Sequence, residues 1–284
     1  MVDTLQTIQM SEHLELWIHG ERWVSYPLGF HFPKEFIRIY PFRGRGLISK
    51  MLYVLNRLRV DAKILRHASP PLTLSNKDVA FFWPAPIRSR NRYYGYMVQD
   101  GRVVEYWKIA VSDEEKVAVR QEAEHVKEVL SWQGCQFKVP RVLGVDECSS
   151  ACIVRYSILP ADSDDVPLSE DWVSKVNNAR ESIFAHGYAH GDFGWHNLKK
   201  SGNDLWIIDW EGLHKTDNLL IDKAYQDISY YYYWMKKPIK SVASFLIDDV
   251  SKYNCSDDEL YTALDYLARH GIIIASDLRR YICA

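Results

Sequence analysis

The sequence predicts an α+β protein of two lobes with a cleft between them, and three observations predict it. The middle of the chain carries a strand–turn–strand pattern, a capped helix and two further short strands, ending near residue 158. A polar connection, "ILPADSDD" around Pro160, then interrupts the pattern. After one more loop and strand pair, the chain from Tyr225 onward reads as mostly helical. Segregated strands and helices in this order suit an α+β architecture with its cleft at the connection.

Residues 1–40 alternate loosely, as in "LELWIHGERWVSYPLG", and predict one or two short strands with a turn at Gly20. "GLISKMLYVLNRLRVDAKILRH", Gly46–His67, sets Leu47, Met51, Val54, Leu55 and Leu58 at helical spacing. Arg43, Arg45, Lys50, Arg57, Arg59, Lys63 and Arg66 make this region basic. Two readings stand: a solvated helix face docked on the body, or a patch for an anionic substrate or a peripheral membrane contact. The Pro- and Ser-rich "ASPPLTLSNKD", Ala68–Asp78, marks a boundary. Residues 1–79 are therefore set apart as an N-terminal extension, with 80–158 as the first lobe and 159–284 as the second.

"YYGYMVQDGRVVEYWKIA", Tyr93–Ala110, predicts a hairpin turning at Asp100–Gly101. "SDEEKVAVRQEAEHVKEVLSW" opens with Ser112 and, three residues on, Glu115, the pattern of a capping box. Val117, Val126, Val129 and Leu130 are its expected apolar face. "VPRVLGVD" and "ACIVRYSILPA" read as strands and "SEDWVSKVNNARESIFAHG" as a helix.

A chain of 284 residues, 47% hydrophobic and 25% charged, can bury the cores of two lobes. With a formal net charge of −2, nothing global suggests wholesale nucleic-acid binding, and no nucleic-acid partner is expected. Cys135, Cys148, Cys152, Cys255 and Cys283 form no CxxC pair and no zinc spacing, which fits reduced thiols. The start of the chain is too polar for a signal peptide, and no apolar run approaches the ~18–20 residues that span a bilayer. The expected location is cytoplasmic, at the inner face of a membrane if the basic segment acts there.

"YAHGDFGWHNLKKSGNDLWIIDWEGL", Tyr188–Leu213, brackets a short segment with Asp192, Asn197 and Asp209. Asp and Asn are frequent in turns for local reasons. Phosphoryl transfer gives the spacing a second meaning, because it needs a divalent metal, a cation on the phosphates and a group orienting the attacking hydroxyl. Mg²⁺ takes hard oxygen ligands, so one carboxylate and one amide oxygen are a sensible protein contribution. Asn197 and Asp209 can meet if residues 198–208 double back, and Ser201–Gly202–Asn203–Asp204 is strong turn chemistry for that. Asp192 is then a carboxylate not used by the metal. His196 is not read as a ligand, since Mg²⁺ does not favour imidazole.

"HGDFGWHN" followed by "IIDWE" resembles the HGDxxxxN and IDWE/IDFE motifs of aminoglycoside phosphotransferases and choline kinases, and "KAYQDIS", Lys223–Ser229, resembles their "YQDIA" segment. The resemblance extends over residues 80–284. It implies a protein-kinase-like fold with a small β-rich N-lobe and a larger, mostly helical C-lobe, using ATP and Mg²⁺. Carried over by position, Asp192 is implied to orient or deprotonate the acceptor hydroxyl, and Asn197 and Asp209 to hold the metal. His190 is implied to support the loop, Asp227 to tie down the loop's backbone, and Glu211 to hold the surroundings of Asp209 or a second metal.

Lys108, in "VVEYWKIA", sits where such enzymes carry the ATP lysine. Glu122 is its expected partner, since Val126, Val129 and Leu130 share its helix face; Glu124, about 200° round the wheel, ranks second. Tyr156–Ile158 is the expected hinge offering main-chain groups to an adenine. The phosphate-covering loop departs from the protein-kinase pattern, with no glycine between Pro86 and Tyr94. Ser89 and Asn91 stand in for it, with Arg88, Arg90 and Arg92 adding charge. Bulky Trp195–His196 occupies a place where relatives carry small residues. "YYYYW", Tyr230–Trp234, is either core and cleft wall or a carbohydrate platform.

The expected activity is ATP- and Mg²⁺-dependent phosphorylation of a hydroxyl on a small molecule or saccharide, with a lipid-linked glycan of surface-polysaccharide assembly favoured by the basic helix. An aminoglycoside or choline-type alcohol is the alternative acceptor. Asp162, Asp164, Asp165, Glu170 and Asp171 could line an aminoglycoside pocket or form a solvated loop. A protein kinase or a silent kinase-like binding protein is the other class. The missing "APE" segment and "DWE" in place of "DFG" favour the small-molecule class.

Overall fold

The structure is a computed structural model that describes the backbone of residues 13–18, 21–27, 65–68 and 79–82 and the chain of residues 92–282, the Ile273 side chain excepted. It is an α+β protein whose chain divides into two compact units, residues 1–123 with 142–161 and residues 124–141 with 162–284.

The first unit is built on one antiparallel sheet. Its strands are β1 (His13–Ile18), β2 (Glu21–Pro27), β3 (Leu65–Ala68), β4 (Val79–Phe82), β5 (Arg92–Gln99), β6 (Arg102–Ala110), β7 (Val142–Glu147) and β8 (Cys152–Ser157), in the order β3-β1-β2-β4-β5-β6-β8-β7. The strand pair expected in the first forty residues is β1 with β2. Residues 46–64 of the expected basic helix lie outside the described residues. Its last three, Leu65–His67, are strand, paired with Leu14–Leu16 of β1, because the sheet edge takes up their main-chain donors and acceptors.

The β5–β6 turn follows from its two residues. Asp100 and Gly101 both have positive φ, 50° and 73°, as a two-residue hairpin with the right twist requires. Both faces of the central strands are covered: Trp107, Ile109 and Ile153 pack on one side, while Ala110 and Val154 are buried on the other. Helix α1 (Asp113–Ser131) follows β6, and its residues from Glu124 onward belong to the second unit. Ser112 Oγ accepts from the Glu115 amide at 3.4 Å, but the Glu115 carboxylate takes Arg92 at 2.7 Å, so half of the expected capping box forms. The buried face of α1 runs Lys116, Val119, Glu122, Ala123, Val126, Val129. Val117 and Leu130, expected on it, are 55% and 46% exposed, because the 3.6-residue period set by Val119 and Val126 carries them outward.

The second unit holds α2 (Glu170–Ala185), α3 (Leu220–Asp227), α4 (Ile239–Lys252), α5 (Asp257–Arg269) and α6 (Ile273–Ile282), with Ile228–Trp234 continuing α3 as a π-helical segment. Leu220, Ala224, Ile228, Leu246, Leu264 and Leu278 are among its core residues. A complete capping box starts α5, where Ser256 and Glu259 each bond the other's amide. Short strands complete the unit: β9 (Asp164–Asp165), β10 (Tyr188–Ala189), β11 (Leu198–Ser201), β12 (Asp204–Ile207) and β13 (His214–Lys215). They form a three-stranded sheet, β12-β11-β9, and a β10–β13 pair. Among the described residues no helix is long and apolar enough to cross a membrane.

Candidate functional site

In the first unit, Lys108 and Glu122 meet. Lys108 Nζ lies 2.7 Å from each carboxylate oxygen of Glu122, and both residues are buried. β6 brings the lysine there between Tyr94 of β5 and Val154 of β8, its register partners. Glu124 is exposed and pairs with Lys127. A buried, doubly contacted ion pair is costly to desolvate, so it is weak evidence for stability alone. Around Lys108 the sheet face is aromatic: Tyr106 lies 5.9 Å from Tyr94, 5.3 Å from Tyr96 and 6.2 Å from Tyr156, centroid to centroid. Tyr156 is held within the ladder between β6 and β7, while Ile158 lies just past the end of β8. Ser89 and Asn91 fall outside the described residues, as do Arg88 and Arg90. Arg92 is buried against Glu115.

In the second unit, the loop from His190 to Asn197 joins β10 to β11. His190 is fully buried. The Asp192 amide donates to its Nδ1 at 3.3 Å, so Nε2 carries the proton and donates to the Ile208 carbonyl at 3.2 Å. Burial holds the imidazole pKa below its ordinary value, against the opposing pull of Asp222, Asp192 and Asp209. The neutral ring thus ties the start of the loop to the end of β12. Gly191 has φ +80°, and a Cβ there would sit 2.4 Å from the Gly212 carbonyl, so only glycine fits between His190 and Asp192.

The expected backbone tie needs correction. Asp222, on α3, accepts from the amides of His190 and Gly191 at 2.7 and 2.8 Å. Asp227, one and a half turns further on, points to Lys223 at 2.5 Å and does not reach the loop. Burial pushes the Asp222 carboxyl upward, and His190 with the two amides pulls it back. The sequence signal was an aspartate flanked by Leu220, Ile221 and Ala224, where an acid is buried only if it has partners.

Asn197 Nδ2 donates to the Asp192 carbonyl at 3.0 Å and to its carboxylate at 2.9 Å. The amide oxygen is thereby turned away from Asp192. The Asn197 carbonyl accepts from the Ile208 amide at 3.1 Å, extending the β11–β12 ladder to the residue before Asp209. The expected doubling back of residues 198–208 is this hairpin. Asp209 then adopts the left-handed conformation, φ 67° and ψ 64°, a costly one for a non-glycine residue. Its carboxylate lies within 4.8 Å of that of Glu211.

Trp195 and His196 diverge. Trp195 turns inward, its amide on Ser229 Oγ at 3.2 Å, whereas His196 is exposed with Nε2 3.7 Å from the Asp192 carboxylate. Tyr225, quoted in "KAYQDIS" but given no role, is the second residue missed. It lies close to Asp192, and burial together with the Asp192 charge raises its phenol well above the ordinary value. Asp164 and Asp165 form β9 opposite Lys200 and Lys199, and Asp162 accepts from Ser201 Oγ at 2.6 Å. Two of the five acidic residues are therefore the third strand beside the hairpin, and Glu170 and Asp171 open α2. Of the tyrosine run, Tyr230–Tyr232 are half-buried and Tyr233 and Trp234 exposed.

Asn197 and Asp209 offer a neutral amide oxygen and a carboxylate, with Glu211 beside the latter. All are hard oxygen donors without thiolate or imidazole, the chemistry Mg²⁺ accepts.

No protein-family model matches the chain, and no curated protein matches it. Among solved structures it is similar to monomeric WbdD, with a TM-score of 0.32 and 16% identity over 46% of this chain and 34% of that one. It is likewise similar to WbdD co-crystallised with the kinase inhibitor LY294002, with a TM-score of 0.31 and 14% identity over 69% of this chain and 44% of that one. A low-resolution WbdD structure with its C-terminal bundle ordered to residue 505 gives 0.32 and 16%, over 44% and 27%. The matched part thus spans less than half of each WbdD chain, and similarity at this level carries no weight for activity.

Proposed function

We propose that this chain is an ATP- and Mg²⁺-dependent phosphotransferase of protein-kinase-like architecture acting on a hydroxyl of a small molecule or saccharide. The observation that carries it is the union of three features at one hairpin. Asn197 is tied to Asp192 by its nitrogen, its main chain is paired beside Asp209, and Asp209 is held in a strained backbone conformation. A turn motif alone does not explain the burial of His190 beneath it.

In this proposal Asp192 accepts a hydrogen bond from the incoming alcohol and fixes its approach, taking the proton late, as fits a loose transition state. Asn197 orients its carboxylate. Asn197 and Asp209 would hold Mg²⁺, which would neutralise charge on the phosphates. Lys108, steadied by Glu122, binds the phosphates that stay with the donor. Tyr106 offers a face to the purine.

The test is phosphate transfer from labelled ATP to a panel of sugars and alcohols, with Mg²⁺ and with EDTA. Asp192→Ala should abolish transfer while retaining nucleotide binding, and Asp209→Asn should remove the Mg²⁺-dependent part of that binding. Transfer that survives Asp192→Ala ends the proposal.

A further inference from the structure

We infer that the corner between the π-helical segment and α4, residues 233–240, docks on an anionic lipid surface. Tyr233, Trp234 and Met235 are consecutive and 44%, 52% and 45% exposed, and Lys236, Lys237 and Lys240 beside them are exposed too. From Ile228 to Ile247 the chain has three lysines and no Asp or Glu, in a protein of net charge −2.

The corner is preformed. The Met235 amide donates to the Tyr230 carbonyl and the Lys237 amide to the Tyr231 carbonyl, both at 2.9 Å. Lys236 takes a left-handed conformation, φ 53°, and Pro238 starts α4. Tyr231 stacks on Phe245 at 4.0 Å and, with Tyr232 and Ile239, packs on the core, so the exposed tip stands on a fixed base. Docking there requires little ordering of the chain.

The chemistry selects the occupant. Trp and Tyr favour the headgroup level of a bilayer, where an apolar body and a polar tip are both satisfied. Lysines beside them meet anionic headgroups, each adding to attraction within a Debye length. A protein partner would take the aromatics but not the lysines, which are depleted at such interfaces. A two-fold dimer through the corner would set the lysine cluster against itself. The inference is independent of phosphotransfer, and it concerns a different segment from the basic residues 43–66.

The test is sedimentation of the full chain with phosphatidylcholine vesicles, with and without phosphatidylglycerol. The protein is expected to pellet with the anionic vesicles and to be released by salt. Each lysine removed should weaken partition about fivefold, and Lys236→Ala/Lys237→Ala/Lys240→Ala together about a hundredfold. Trp234→Ser should weaken it also, with melting temperature and lipid-free mass unchanged. Failure of the unaltered chain to pellet with anionic vesicles overturns the inference. So does undiminished binding in the triple-lysine variant, or a lipid-free dimer that Trp234→Ser dissolves while vesicle binding persists.

Discussion

The side-chain nitrogen of Asn197 donates at once to the main-chain carbonyl and to the carboxylate of Asp192, at 3.0 and 2.9 Å. That pair of hydrogen bonds fixes the amide's orientation, because the oxygen cannot replace the nitrogen without facing two acceptors. Asn197→Asp places a carboxylate against the same two acceptors, whereas Asn197→Ala only deletes the tie. Both are expected to lower Mg²⁺-dependent transfer about a hundredfold, the scale of losing a positioned group. The Asp variant should melt lower than the Ala variant. Equal melting would mean that the amide's orientation is not set by Asp192.

Asp222 is the only carboxylate seen on the amides of His190 and Gly191 among the described residues. Asp222→Ala leaves two buried donors unpaired, at a cost of about 3 kcal/mol in unfolding free energy. Denaturant melts measure it. A surface-like loss below about 0.5 kcal/mol would show that the loop's backbone is held by something else.

How much of this was legible beforehand depends on the kind of information each feature needs. The β5–β6 hairpin and the β11–β12 hairpin were readable because Asp100–Gly101 and Ser201–Asp204 are local turn chemistry. Glu122 was readable because Val126 and Val129 repeat at helical spacing around it. The placing of Asp222 was not, since the quoted motif contains only Asp227 and tertiary packing alone turns the aspartate just before it toward the loop. The inward turn of Trp195 and the closeness of Tyr225 to Asp192 likewise depend on α3 and the π-helical segment packing over the loop. Leu65–His67 read as the end of a helix because periodicity cannot register a sheet edge distant in sequence.

Lys108 and Glu122 form a pair whose halves need each other. Removing either leaves a buried charge, so Lys108→Ala and Glu122→Ala should each cost about 3–5 kcal/mol. The double variant should cost well under the sum, and a double-mutant cycle measures the difference. Nucleotide affinity should fall in all three. Additive losses would mean that the two side chains do not interact in solution.

Tyr106 stands at the centre of the aromatic face beside Lys108. A stacked base is worth about 1–3 kcal/mol on alanine substitution in nucleic-acid binders, and the same physics applies to one purine. Tyr106→Ala should therefore weaken nucleotide binding by about tenfold or more, and Tyr106→Phe should retain it. Calorimetric titration separates the two. A loss in the Phe variant equal to that in the Ala variant would assign the effect to the hydroxyl rather than the ring.

The buried cluster of Lys223, Asp227 and Asp249 carries two carboxylates on one ammonium. Burial, then the hydrogen bond to Asp249, pushes the Asp227 carboxyl up to about 7. Burial also acts to raise Asp249, but its bond from Asp227 and the Lys223 charge hold it below the usual range. The cluster thus keeps one proton in the folded state that the unfolded chain releases near pH 4. Between about pH 4 and 7 the folded state binds more protons than the unfolded one, so stability falls as pH rises through that window and levels off above it. Asp227→Asn removes the titrating group and leaves a single ion pair of Lys223 with Asp249. His190, held neutral in the folded state, acts in the opposite sense below about pH 6.5, so the readout is a difference: the melting temperature of Asp227→Asn should gain on that of the unaltered chain as pH rises from about 5 to 8. Curves that stay parallel across the range would place the extra proton elsewhere.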